Sequence, residues 1–200
     1  IGKKMLSYDE SLKILKETSA LLEGHFILSS GLHSKHYIQC AKLLSFPKKA
    51  ESICSSLCKK INDNFNKIDM ILAPAIGGIV IGYEVGRQLG KETIFAERSE
   101  GKLKLRRGFK VPKNSNVLIV EDVITTGKSA LECSEIVKLS NANISGFACI
   151  IDRSNNDELV IKDKIVSQVK IQIETFKNND LPEELKKIKA IEPGSRNLTK

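Results

Sequence analysis

What this sequence lacks narrows it first. No apolar run approaches the roughly 18 residues that a membrane-spanning helix needs, and the N-terminal stretch has no signal-peptide-like apolar core, so a cytoplasmic protein is expected. Aromatic residues make up only 5% of the chain, with no RNP or zinc-finger pattern among them. The net charge is nonetheless +8, with lysines scattered rather than gathered in one arm, a balance that suits an anionic small substrate at least as well as a nucleic acid. Internal repeats, low-complexity linkers and a GxGxxG fingerprint are all absent. The five cysteines, Cys40, Cys54, Cys58, Cys133 and Cys149, are odd in number and lack framework spacing, which points to reduced core thiols. Cys54 and Cys58 fall on one helix face, yet no neighbouring cysteine or histidine completes a tetrahedral metal site.

What is there is ordinary in bulk and specific in pattern. An apolar fraction of 41% and a charged fraction of 28% exclude wholesale disorder, and 200 residues suit one domain, with or without a small subdomain. Ser7 and Glu10 have capping-box spacing ahead of Leu12, Leu15, Ala20 and Leu22, which predicts an N-terminal helix. "HFILSSGLHSKHYIQC" reads as a hairpin around Ser30-Gly31, with His33 and His36 on its surface. Pro47 starts a second helix with an apolar stripe through Ala50, Ile53, Cys54, Leu57, Cys58 and Ile61. From residue 69 onward, short unbroken apolar strands alternate with helices: "MILAPA", "GIVIGYEVGRQLG", "TIFAER", a charged connection, "VLIVED", "GKSALECSEIVKLS" and "GFACIID". That alternation predicts an α/β fold with a central parallel sheet flanked by helices. An alternating strand, "VKIQIETF", and a short helix, "EELKKIKAI", close the chain. The expected organisation is a single domain: an N-terminal cap and first helices at about 1–65, a core at 66–155, and a C-terminal strand and helix at 156–200, the two ends forming a small cap.

The chemistry concentrates in "VLIVEDVITTGKSALE". Glu121 and Asp122 stand at the carboxyl end of a strand, where ligands bind in open parallel sheets. Thr125, Thr126, Gly127, Lys128 and Ser129 then form a turn into a helix, with Ala130, Cys133, Ile136 and Val137 toward the sheet. Free N–H groups at a helix start, a glycine and nearby hydroxyls make a phosphate cup. The acids would repel a phosphate, so they meet a hydroxyl-bearing part of the ligand such as a ribose. A Walker loop is excluded because Asp122 stands where its first glycine belongs. A second anion-binding geometry follows at Ala75-Ile76-Gly77-Gly78, where glycines that merely let a helix pack closely are the plainer reading. Arg98, Lys102, Lys104, Arg106 and Arg107 form a basic segment that suits a lid over a highly charged leaving group, or a solvated turn.

"VLIVEDVITTGKS" closely resembles the phosphoribosyl-pyrophosphate (PRPP) signature of type I phosphoribosyltransferases. "HFILSSGLHSKHYIQC", "ILAPAIGGIVIG", "FAERSEGKLKLRRGF" and "IIDRS" resemble, in turn, the N-terminal segment, pyrophosphate loop, mobile loop and orotate-side arginine of the orotate phosphoribosyltransferase branch. The resemblance implies PRPP contacts from Glu121, Asp122, Val123 and Ile124 and from the turn Thr125, Thr126, Gly127, Lys128 and Ser129, with Arg98 and Lys102 added by the mobile loop. It implies Lys102, Asp122 and Glu121 as the catalytic groups and Thr125 and Arg153 on orotate, whose carboxylate suits a guanidinium. Magnesium held mainly by PRPP, and a homodimer whose mobile loop reaches the neighbouring site, are further implications. Some members carry lysine at Ser29, an aromatic-lysine pair at Ile76-Gly77, lysine at Ser99 and histidine at Lys104, so this chain resembles the other branch. Two alternatives stay open: a purine phosphoribosyltransferase, which would not need Arg153 for a base carboxylate, and a non-catalytic PRPP-sensing regulator, which would bring a DNA-binding segment.

Overall fold

A computed structural model describes residues 4–28, 30–155 and 157–193; Ser29 lies outside them. The Ser7 hydroxyl accepts the Glu10 N–H at 3.1 Å while the Ser7 N–H reaches the Glu10 carboxylate at 2.8 Å, completing the expected capping box of α1 (Tyr8–Glu17). The helix ends sooner than the apolar spacing suggested. Ser19 takes φ 56°, Ala20 N–H bonds to Leu15 O and Ser19 N–H to Lys16 O, a left-handed stop that releases Ala20 and sends Leu22 into β1 (Leu21–Ile27).

Strand β1 runs antiparallel to β2 (His33–Ile38), the hairpin that the sequence predicted. His33 is not on its surface: it is only 7% exposed, with Nδ1 2.6 Å from His25 Nε2. His25 Nδ1 lies 2.8 Å from the Ile188 carbonyl, which can only accept, so His25 donates there and receives the His33 Nδ1–H. A buried imidazole pair thus replaces the expected solvated one. After the short α2 (Cys40–Leu44), which the sequence did not signal, α3 (Pro47–Asn64) carries Pro47 in its first turn and buries the whole predicted apolar stripe. Helix α3 packs on the large sheet rather than within the cap.

That sheet contains β3 (Met70–Pro74), β4 (Glu92–Ser99), β5 (Lys102–Leu105), β6 (Asn116–Ile124), β7 (Asn143–Asp152) and β8 (Ile165–Lys170) in the order β5-β4-β3-β6-β7-β8. Every pairing is parallel except that of β5 with β4. Side chains alternate between its two faces. Ile71, Leu118, Val120, Ala148 and Ile150 join α3 and α4 (Gly77–Leu89) on one side. Met70, Leu72, Val117, Ile119, Phe147 and Cys149 join α5 (Lys128–Leu139) on the other. Unbroken apolar strands are what two covered faces require.

Two segments differ from expectation. The charged connection after β4 is a hairpin, turned by Glu100 at φ 51° and Gly101 at φ 79°, with Arg98 opposite Leu103 and Leu103 buried. The strand predicted as "VKIQIETF" is divided. Its first two residues end β8, which loses its partner where β7 stops at Asp152, and its last two form β9 (Thr175–Phe176) against β2 in the small sheet. Beyond α6 (Glu183–Lys186), much shorter than the predicted helix, Ile191 exchanges backbone hydrogen bonds with β1 through Ile27 N–H and His25 O. The two chain ends therefore meet in one cap.

Candidate active site

Strand β6 outruns its neighbour. It pairs with β3 only from Val117 to Ile119, and its remaining residues through Ile124 keep β7 alone. Since β3 leads through α4 outward to β4, while β6 lies on its other side, the chain direction reverses between β3 and β6. A crevice opens at such a point, beyond the carboxyl ends of the strands. Glu121 and Asp122 line it, half-buried.

The turn after β3 forms the facing wall. The Ala75–Ile76 peptide bond is cis, α4 starts at Gly77 without a side-chain cap, and a Cβ on Gly77 would stand 2.9 Å from both carboxylate oxygens of Asp122. Only glycine lets this loop approach the acid. A Cβ on Gly78 would lie 3.1 Å from Val120 O, so close helix packing and an open helix N-terminus coexist here.

Burial sets the charge of the pair. It raises Glu121 from the ordinary 4.5 to about 8, with the Asp122 charge adding to the effect. It also raises Asp122, while backbone N–H donors, including Val123 at 2.9 Å from Oδ1, pull the other way. The Cys40 thiol, read from sequence as plain core, donates weakly to the Asp122 carbonyl at 3.9 Å and ties α2 to the site.

Within the turn Thr125–Ser129, Gly127 takes φ 76° as the N-cap of α5 and offers no side chain. The first helical bond is Leu131 N–H to Gly127 O at 2.8 Å, leaving the N–H groups of Lys128, Ser129 and Ala130 without helical acceptors. A Cβ on Gly127 would meet Ile161 Cδ1 at 2.6 Å. Val160 N–H props the turn through Thr126 O at 2.9 Å, a tertiary support with no local sequence signal. Ala130, Cys133 and Val137 are buried as expected, and Ile136 is partly so. Val123 and Ile124 carry the backbone from acids to turn; Thr125 is exposed at its head.

Arg153 follows β7 directly, its N–H on Ile124 O at 2.8 Å. Its half-buried guanidinium has no hydrogen-bonded or ion-paired partner among the described residues, and burial lowers its pKa. Neighbouring Ser154 keeps a buried hydroxyl likewise without a partner.

The basic segment lies to one side. The β4–β5 hairpin stands beyond β3, with β4 two strands and β5 three strands from β6, and it leans on α5. Arg98, expected as a ready anion ligand, has its fork on Glu132 of α5, at 2.9 and 3.2 Å. Lys104 pairs with Glu100 and Arg107 with Glu97. Lys102 is exposed. The structure thus gathers Glu121, Asp122 and the Thr125–Ser129 turn, places Arg153 beside them, and braces the hairpin that carries Arg98 and Lys102 against Glu132 of α5.

Comparison with known proteins gives a consistent setting. The family model described as "Phosphoribosyl transferase domain" matches residues 46–186. A curated orotate phosphoribosyltransferase from Caldicellulosiruptor bescii is 44% identical over 191 residues, 96% of this chain and 99% of the relative. Among solved structures, orotate phosphoribosyltransferase from Aeropyrum pernix superposes with a TM-score of 0.65 at 22% identity, covering 80% of this chain and 92% of that one. Adenine phosphoribosyltransferase from Thermoanaerobacter pseudethanolicus gives 0.58 at 19% identity over 68% of this chain and 88% of that one.

Proposed function

The chain belongs to the phosphoribosyl transferase domain family, and from that premise we propose that it is an orotate phosphoribosyltransferase. The enzyme is a pentosyltransferase. It moves the ribose 5-phosphate group of PRPP onto orotate, giving orotidine 5'-monophosphate and pyrophosphate, a step of pyrimidine synthesis. The observation that carries the choice of base is the 44% identity to an orotate phosphoribosyltransferase over 96% of this chain. Likeness of fold alone does not choose, because it extends to adenine phosphoribosyltransferases.

The geometry supports a division of labour. Glu121 and Asp122 hold the ribose hydroxyls, and the raised pKa of Glu121 lets it donate as well as accept at neutral pH. The free N–H groups opening α5 receive the 5-phosphate. The glycine turn opening α4 faces the pyrophosphate, and the uncommitted Arg153 guanidinium, with Thr125, meets orotate. As pyrophosphate leaves C1, positive charge grows on the sugar beside the acids. No side-chain nucleophile is needed; positioning and electrostatics supply the rate.

Magnesium bound to PRPP would neutralise charge on the pyrophosphate, held mainly by the substrate's own oxygens. Among the described residues no three His, Cys, Asp or Glu side chains are grouped to hold a metal. Lys102, exposed at the start of the edge strand β5, then serves pyrophosphate in the site of a second copy. A homodimer is further supported by Ile76, Val80 and Tyr83, spaced along one face of α4 and 85%, 50% and 65% exposed. Five free, buried thiols suit a reducing cytoplasm, and among the described residues no helix is long and apolar enough to cross a membrane. Incubation with PRPP, magnesium and either orotate or a purine base tests the function directly. Loss of orotate absorbance with release of pyrophosphate is expected; purine nucleotide alone, or no product with any base, overturns it.

A further inference from the structure

The Lys102 side chain is exposed and has no hydrogen-bond or ion-pair partner among the described residues, yet the backbone on each side of it is tied down. On one side the Gly101 carbonyl accepts from Arg98 Nη1 at 2.7 Å. On the other, Leu103 N–H donates to Glu132 Oε2 at 3.0 Å. The same carboxylate takes the Arg98 fork, Nη2 on Oε1 at 2.9 Å and Nη1 on Oε2 at 3.2 Å. One side chain on α5 therefore grips both strands of the hairpin at the residues flanking Lys102. Resting on the reading of Lys102 as the lysine that meets pyrophosphate, we infer that Glu132 is a positioning residue for the reaction, fixing Lys102 through Arg98 and the Leu103 amide.

The physical reason lies in what each part can hold rigid. A two-residue turn through Glu100 and Gly101 leaves the hairpin tip free to rock about β4, since β5 is the edge strand and has no outer neighbour. Nearest the tip, side-chain packing acts through the buried Leu103. An exposed ion pair by itself adds little stability, but a fork of parallel bonds joined by a backbone N–H fixes direction, which is what a tip needs. Arg98 holds the Glu132 carboxyl below its usual range, so the grip is charged at neutral pH. Glu132 also sits just one turn beyond the N-terminus of α5, where the 5-phosphate is received. The helix is thus a rigid bar linking the phosphate cup of one site to the lysine offered to pyrophosphate.

The test combines Glu132→Gln with Lys102→Ala in the full chain. Glu132→Gln keeps size and one acceptor but loses the charge and the symmetrical fork. The expected result is at least tenfold faster hydrogen exchange at the Leu103 amide, kcat lowered about tenfold, and KM for orotate within twofold of the parent. In the Lys102→Ala background, Glu132→Gln should lower kcat no further, because the group it positions is gone. A merely structural role predicts equal losses in both backgrounds, and that outcome overturns the proposal, as does a normal kcat in Glu132→Gln beside a slowed Lys102→Ala. Normal turnover in Lys102→Ala itself overturns the reading of Lys102 and this proposal with it. If Glu132→Gln fails to fold by circular dichroism, Glu132→Asp, which keeps the charge but shortens the reach, carries the same expectations.

Discussion

Asp122 holds a carboxylate where burial disfavours it, with a glycine opposite and backbone N–H groups as its donors. Folding gains nothing from that, so Asp122→Asn should leave Tm unchanged or raised while kcat/KM for PRPP falls about a hundredfold. Glu121 gives a pH signature. With its pKa raised from 4.5 to about 8, the folded state binds more protons than the unfolded state between those values, so stability from this group is greatest at low pH and is lost as pH rises through the window. Glu121→Gln should accordingly raise Tm more at pH 8.5 than at pH 5 in differential scanning fluorimetry; an equal change at both shows ordinary titration. Arg153→Ala should weaken orotate binding by roughly 1.5–3 kcal/mol, about ten- to a hundredfold, in calorimetry. Unchanged affinity shows a structural arginine. The placing of these residues around one crevice was legible because strand, acids and turn run consecutively, and because Arg153 ends an apolar run. The contacts of Glu132 and Cys40 were not, since each is made with a partner distant in sequence.

At the scale of elements, the parallel strands and the helices between them declared themselves by unbroken apolar runs and period. Short pieces did not. Strand β5 has four residues, of which two are lysines, and exists because the Glu100–Gly101 turn folds it onto β4. Strand β9 has two and is defined by β2 alone. The α5 start offers the sharpest test at this scale. Gly127 takes a left-handed φ of 76° and a Cβ there would strike Ile161, so Gly127→Ala should cost about 1–3 kcal/mol. For a chain of this size that is a fall of roughly 2–4 °C in Tm per kcal/mol, read together with a raised KM for PRPP. A variant with normal Tm and KM would show that the turn tolerates a side chain and that its N–H groups are not held for a ligand.

For the whole molecule, composition and strand pattern specified an α/β core with a cap, whereas the proposed homodimer would use a surface that no local pattern marks. Tyr83→Lys, replacing an exposed ring on α4 by a charge, should halve the mass seen by sedimentation equilibrium and lower kcat, if sites are completed across copies. A variant that keeps a dimeric mass would place the interface elsewhere, and a parent with the mass of one chain would overturn the homodimer. The cap has a consequence for the order of events during synthesis. Its third strand and the Ile191 contact with β1 are made from residues translated after every strand of the large sheet. The β1–β2 hairpin therefore emerges before the large sheet and waits, with both edges unpaired and the His25 proton without its Ile188 acceptor, until residues 175–191 leave the ribosome. A segment made before the large sheet is thus finished after it, and a ribosome stalled just past β8 should carry a completed large sheet beside an open, protease-sensitive hairpin.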